Sequence, residues 1–219
     1  MRKIITSTFM TLDGVIQAPG GPQEDTSGNF KYGGWTVNYW DPVMMQVMAE
    51  ASQTPYDMLL GRKTYEIFAA HWPFVKNDPM ADILNKAKKY VATNTLKSAT
   101  WENTELLNGN VVEKVKKIKA EDGIDLLIYG SGNFIQTLLK NNLIDELRLW
   151  IFPLVIGNGK KLFAEGVVPA NLKLENYKVS DSGVIMTTYI PSGEIKTGSF
   201  ALDEPTDLEI KRRKEIAQQ

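Results

Sequence analysis

Two short stretches of this chain have the residue types and spacing of anion-binding turns. In the first, the buried-strand pattern Leu126, Leu127, Ile128 and Tyr129 stops at Gly130-Ser131-Gly132 and gives way to a helical pattern over Asn133–Lys140. A strand that ends in glycine and restarts as a helix leaves unpaired backbone N–H groups aimed at one point, with the positive end of the helix dipole behind them. Glycine lets an anion approach the backbone with no Cβ in the way, and Ser131 adds a hydroxyl donor. In the second, the apolar run Tyr56-Asp57-Met58-Leu59-Leu60 leads into Gly61-Arg62-Lys63-Thr64-Tyr65-Glu66 and a helix ending near Ala70. The helix start again supplies N–H groups, and the Arg62 guanidinium is a permanent cation that can grip phosphate through two donors. Either turn alone also reads as an ordinary strand-to-helix connection; two in one chain favour a site.

Other chemistries lack the residues they need. There is no cysteine, which removes disulfides, thiolate metal sites and a cysteine nucleophile together. The single histidine, His71, stands among Ala69, Ala70, Trp72 and Pro73 without a nearby carboxylate, and reads as a helix-end residue. No Gly-x-Ser-x-Gly elbow is present, so nucleophilic triads and zinc sites have no constellation here. One carboxylate remains of interest. Asp13, in Thr11-Leu12-Asp13-Gly14, follows the first strand pattern, Lys3–Met10. A carboxylate at the end of a strand can fix a substrate or relay a proton, and Asp-Gly is also among the commonest turn pairs.

The elements that must position these residues alternate between strand and helix. Gln17–Tyr39 is rich in glycine, with two prolines, and reads as a long irregular loop of the kind that lines a site. Its aromatics and the adjoining Trp40, with Trp35 and Trp40 foremost, either stack on a flat heterocycle, anchor the loop to the domain or bury a dimer interface. Asp41 and Pro42 open a helix carrying Val43, Met44, Val47, Met48 and Ala51 at helical spacing, in which Glu50 reads as solvent-facing. A helix over Ala81–Lys88 precedes the strand Tyr90–Thr93, which ends at Asn94; Trp101–Leu106 reads as a short strand. Val111, Val112, Val115 and Ile118 mark an amphipathic helix. After Phe163, Lys173–Val179 and Val184–Ile190 form an antiparallel hairpin around Ser180-Asp181-Ser182-Gly183. Residues 191–219 are a charged tail.

The central stretch, with its glycine turn, amphipathic helix, Leu143-Ile144-Asp145-Glu146 step, strand, and Pro153-Leu154-Val155-Ile156-Gly157-Asn158-Gly159 near Leu162-Phe163, resembles the dihydrofolate-reductase superfamily. It is most similar to the reductase domain of bacterial bifunctional riboflavin-biosynthesis deaminase/reductases and their stand-alone relatives. The Gly61–Glu66 segment resembles the superfamily's cofactor loop. The resemblance implies that Gly61, Arg62, Lys63, Thr64, Thr93, Asn94, Gly130, Ser131, Gly132, Asn133 and Phe134 bind NADPH, with NADH possible. It places Asp13 at the catalytic centre, with Trp35 and Trp40 beside the substrate. Family members often carry an arginine that contacts the 2′-phosphate where this chain has Asn94, so the preference for NADPH rests on Arg62, Lys63 and Lys97.

The expected fold is therefore α/β and dihydrofolate-reductase-like over residues 1–190: a largely parallel sheet, helices on both faces and an antiparallel C-terminal edge. The expected function is hydride transfer to a small pterin, folate or pyrimidine-like substrate, against the alternative of a non-catalytic nucleotide-binding module. With 25 basic and 26 acidic residues the formal charge is −1, so no general field attracts nucleic acid. No run approaches the roughly 18–20 apolar residues of a membrane span. A cytoplasmic homodimer is the expectation.

Overall fold

β1 (Ile4–Thr11) alternates its side chains across the sheet. Ile4 and Met10 pack on one face, Ile5 and Phe9 on the other. The computed structural model describes residues 1–163 and 167–217. Around β1 it places α1 (Pro42–Ser52), β2 (Asp57–Gly61), α2 (Arg62–Ala69), α3 (Pro79–Lys86), β3 (Lys89–Ala92), β4 (Thr104–Leu107) and α4 (Val111–Ala120). There follow β5 (Leu126–Ile128), α5 (Gly132–Lys140), β6 (Glu146–Phe152), β7 (Leu172–Val179), β8 (Ile185–Pro191) and α6 (Asp207–Ile216). One eight-stranded sheet has the order β4-β3-β2-β5-β1-β6-β8-β7. Its first six strands are parallel, and β8 and β7 run antiparallel at the edge.

The helices divide by face. α4 and α5 cover one side through Val115, Ile118, Phe134, Ile135 and Leu138. On the other side the apolar packing falls into two clusters. α2 and α3 bring Tyr65 and Leu84 against Met58, Leu60, Val91 and Leu127; α1 brings Met44 against Trp150, Phe152, Val184 and Met186. The strands crossing between the two clusters carry Ser7 and Arg148, which are register partners on β1 and β6.

Local chemistry sets the helix ends. Asp41 caps α1, accepting from Met44 N at 2.9 Å, and Pro42 occupies the first helical position. The same carboxylate accepts Ser182 N at 2.9 Å, tying α1 to the β7–β8 turn. Burial works against its charge, but these N–H groups hold Asp41 down to about 2. α3 starts two residues before the expected Ala81 because Asp78 accepts from Met80 N and Ala81 N and Pro79 takes the first helical position. Its end is fixed by Lys89, fully buried, whose Nζ donates to Asn85 O at 2.8 Å and Glu102 O at 3.2 Å above the Trp101 ring. The strand expected from Trp101 begins at Thr104 instead, because Trp101 is pulled into the core by a bond from its Nε1 to Asn85 Oδ1. The tail forms α6, which has no buried residue and leaves Leu208 81% exposed; residues 218 and 219 lie outside the described residues.

Candidate active site

β2 and β5 are parallel neighbours, so the turns that leave them emerge side by side at the carboxyl end of the sheet. Gly61 N donates to Gly130 O at 3.2 Å. A Cβ on Gly61 would lie 2.2 Å from Ser131 Oγ, and a Cβ on Gly130 would lie 2.6 Å from Thr64 Oγ1. Each glycine thus makes room for the hydroxyl residue of the other turn, and the two motifs form one structure. The Gly130–Ser131 peptide is cis. Neither Gly61 before α2 nor Ser131 before α5 makes a side-chain capping bond. Two helix starts therefore lie together without side-chain caps, and that arrangement suits an anion.

The remaining residues expected at the cofactor fall into different roles. Gly132 and Asn133 form the first turn of α5, while the Phe134 ring is buried in the core, leaving only its backbone near the turn. Arg62 donates from Nη1 to both Glu66 oxygens, at 2.7 and 2.9 Å, and its side chain is 39% exposed. Lys63 is exposed. β3 borders β2, so Thr93 and Asn94 emerge next in the same row. Buried Thr93 accepts from Thr95 N and Leu96 N at 3.1 Å, fixing its own turn. Asn94 is exposed and its Oδ1 accepts Gly109 N at 2.8 Å, bracing the loop after β4.

Asp13 is placed by partners far along the chain. One carboxylate oxygen accepts Thr11 Oγ1 at 2.6 Å and Ile156 N at 3.2 Å; the other accepts Gly157 N at 2.8 Å. The Thr11 hydroxyl, followed by the two backbone N–H groups, holds its carboxyl below the usual range against an opposing effect of burial. Around it the loop after β1 zips to the loop after β6: Leu12 N donates to Leu154 O, Ile16 N to Lys160 O, and Leu162 N to Gly14 O. The zipped pair lies against α5, where a Cβ on Gly132 would stand 2.7 Å from Ile16 Cδ1. Gln136 Nε2 donates to Lys161 O and Leu162 O. Asp13 accordingly fastens a wall of the paired-turn site, and its oxygens already hold the chain.

A cavity of about 140 Å³ opens on the sheet face between the two apolar clusters. Its walls include Ser7, Tyr56, Tyr129, Arg148, Trp150 and, from α1, Glu50. Tyr129 directly precedes Gly130, so cavity and paired turns share a strand end. Trp35, expected beside the substrate, is only 8% exposed. It donates from Nε1 to Gln17 O at 2.8 Å and meets Phe152 edge-on at 5.2 Å, so its ring anchors the loop. Trp40 is half-buried against Phe9 and Trp150. The cavity's own tryptophan is Trp150. Sequence reading passed over Arg148 and Trp150, although a cation at the centre of the buried strand Leu147-Arg148-Leu149-Trp150 was a usable signal.

Among the described residues no group of three or more His, Cys, Asp or Glu is placed to hold a metal, and no helix is long and apolar enough to cross a membrane. The fold is dihydrofolate-reductase-like. The sequence pattern of the RibD C-terminal domain matches residues 2–186, and the chain belongs to that family. Uncharacterized protein YyaP of Bacillus subtilis (strain 168) is 30% identical over 194 residues, covering 86% of this chain and 94% of YyaP. A protein assigned to riboflavin biosynthesis from Shewanella sp. PV-4 superposes with a TM-score of 0.66 at 22% identity, over 88% of this chain and 100% of its own. Dihydrofolate reductase from Enterococcus faecalis, solved with NADP(H) and RAB-propyl, gives 0.55 at 16% identity over 87% and 97%. A pyrimidine reductase-like protein from Corynebacterium diphtheriae gives 0.55 at 13% over 88% and 93%. Family membership supports a reductase-like enzyme.

Proposed function

We propose that the protein is an NADPH-dependent reductase of a small flat heterocycle of the pterin, folate or pyrimidine kind. The observation that carries this reading is the pair of interlocked turns, Gly61–Thr64 and Gly130–Asn133, in which two helix starts without side-chain caps meet at one point. A diphosphate fits such a cradle: backbone N–H groups face the anion, Thr64 and Ser131 supply hydroxyls, and glycine keeps the approach free of side chains. Arg62, released from Glu66, and Lys63 lie on the same helix start and suit the 2′-phosphate. Bound there, a reduced nicotinamide would supply the hydride.

The chain's own residues do the rest. Asp13 holds the zipped loops against α5 and so fixes the cradle wall. The cavity beside Tyr129 is well below the roughly 300–1,000 Å³ of a site for a drug-sized ligand, so it admits one flat ring system. Trp150 offers an aromatic surface there, and Arg148 and Glu50 offer a cation and a carboxylate at its edges.

Following NADPH oxidation by the purified protein against a panel of flat heterocycles, including 7,8-dihydrofolate, 7,8-dihydropterin and pyrimidines, tests the reading. Oxidation that depends on one panel member supports it. Saturable NADPH binding without oxidation by any member would favour the non-catalytic nucleotide-binding module.

A further inference from the structure

A hydride added to one atom of a C=N bond must be matched by a proton on the other, and few groups near the cavity can give one. Asp13 is held below the usual carboxylate range and its oxygens accept from the chain. Glu50 is exposed and accepts Gln46 Nε2 at 2.7 Å. Thr187 already donates to Leu149 O at 3.1 Å. Of the other lining groups, which also include Ser7, Tyr177 and Lys178, Tyr56 and Tyr129 form a hydrogen-bonded pair, with their hydroxyl oxygens 2.8 Å apart. Both residues line the cavity, and Tyr129 is one residue from the cradle glycine.

Tyr56 has a second exposure. Together with Ser52 it also lines a separate open cleft of about 780 Å³, whose other walls include Asp57, Lys88, Asn103 and Glu105 at the amino ends of β2, β3 and β4. Tyr56 therefore borders both the sheet-face cavity, where its hydroxyl meets that of Tyr129, and a space open to solvent. A tyrosine pair serving only to satisfy two buried hydroxyls has no need of such a connection.

Resting on the reductase reading above, we propose that Tyr129 is the proton donor of the reduction and that Tyr56 relays its replacement from the solvent-filled cleft. As hydride reaches the carbon of the substrate's C=N bond, the π pair moves onto nitrogen, the Tyr129 O–H bond breaks, and the proton goes to that nitrogen, leaving a phenolate. Tyr56 then gives its proton to Tyr129 and takes one from water in the cleft. The substrate gains two electrons and two hydrogens, the reductant is a reduced nicotinamide that loses two electrons, and water supplies the net proton. Burial first, and Tyr56 second, hold the Tyr129 hydroxyl well above the usual range, so it meets substrate protonated; Arg148, on the same cavity wall, acts in the opposite sense and favours the phenolate once formed.

The test compares wild type with Tyr129→Phe, Tyr56→Phe and Glu50→Gln by three readouts: NADPH fluorescence titration, tyrosinate absorbance against pH, and turnover of the panel heterocycle that wild type reduces. Tyr129→Phe should bind NADPH within about twofold of wild type and lose about a hundredfold or more in turnover. Tyr56→Phe should lose less, and its remaining late-ionising tyrosine should titrate at lower pH than in wild type. Unchanged turnover in Tyr129→Phe, a loss confined to Glu50→Gln, or tyrosines that all ionise together in the ordinary range would each overturn the assignment. A wild type that binds NADPH yet reduces no panel member overturns it while leaving the cradle intact. Absence of NADPH binding, seen before any variant is made, removes the reductase reading and this proposal with it.

Discussion

Replacing Gly61 with alanine asks whether the two turns act as one site. The added Cβ would stand 2.2 Å from Ser131 Oγ and 3.1 Å from both Ser131 Cβ and Ser131 N, where carbon contacts are ordinarily about 3.5–4.0 Å. Rotating the serine hydroxyl relieves the shortest contact only. The other two atoms belong to the turn that opens α5, so the turns must part by several tenths of an ångström. Overpacking of this kind costs roughly 1–3 kcal/mol. If the parted N–H groups no longer converge on the diphosphate, the same energy appears in binding, and at 1.4 kcal/mol per tenfold NADPH affinity should weaken by about 5- to 150-fold. Adding Ser131→Gly removes Oγ and Cβ, so the double variant should recover much of the loss relative to the two single variants. Fluorescence titration measures the affinity and thermal melting confirms the fold. An unchanged Kd for Gly61→Ala, or strict additivity with Ser131→Gly, would refute the interlocked-turn account.

Arg62→Ala should cost about 1.5–3 kcal/mol of NADPH affinity, toward the lower end because the side chain is 39% exposed, and should affect NADH less; equal losses would show that Arg62 does not meet the 2′-phosphate. Glu66→Gln, which frees the Arg62 guanidinium, should tighten NADPH by a few-fold in the same titration. Asp13→Asn should destabilise the fold by about 1–3 kcal/mol, since an amide cannot accept all three bonds that the carboxylate accepts. Because Asp13 has a lowered folded pKa, its contribution is full above the unfolded value near 4 and fades as pH falls through the folded value, so wild type and Asp13→Asn should converge in acid denaturation. Burial lowers Lys89 from 10.5 to about 8. The unfolded chain then binds more protons above pH 8, and stability should rise from pH 8 to 10 by up to about 2–3 kcal/mol, before ionisation of the unfolded chain's tyrosines reverses the trend. Lys89→Met should flatten that rise in urea unfolding.

The sheet was legible because its strands announce themselves locally. Leu126–Ile128 is an unbroken apolar run, β6 alternates Leu147, Leu149 and Ile151 against Arg148 and Trp150, and a glycine-containing turn separates β7 from β8. The two strand-to-helix turns were legible for the same reason: each is a contiguous motif. Their contact was not, because it depends on β2 and β5 being neighbours although Leu126, where β5 begins, lies 65 positions after Gly61, where β2 ends. Asp13 shows the limit most clearly. Its Asp-Gly context pointed to a turn and the resemblance to catalysis, whereas its partners Ile156 and Gly157 lie 143 and 144 positions away. The loop's composition left Trp35 open between stacking on a substrate and anchoring the loop; what fixes it as an anchor is Phe152 on a distant strand. The cavity is assembled from five strands and α1, so no local pattern could mark it.

The most direct measurement of the central claim is an amide NMR titration of the ¹⁵N-labelled protein with NADPH. The interlocked-turn site predicts saturable binding, with the largest shifts at Arg62, Lys63 and Thr64 and at Ser131, Gly132 and Asn133. Binding that leaves these six amides unmoved, or no saturable binding at all, would contradict it.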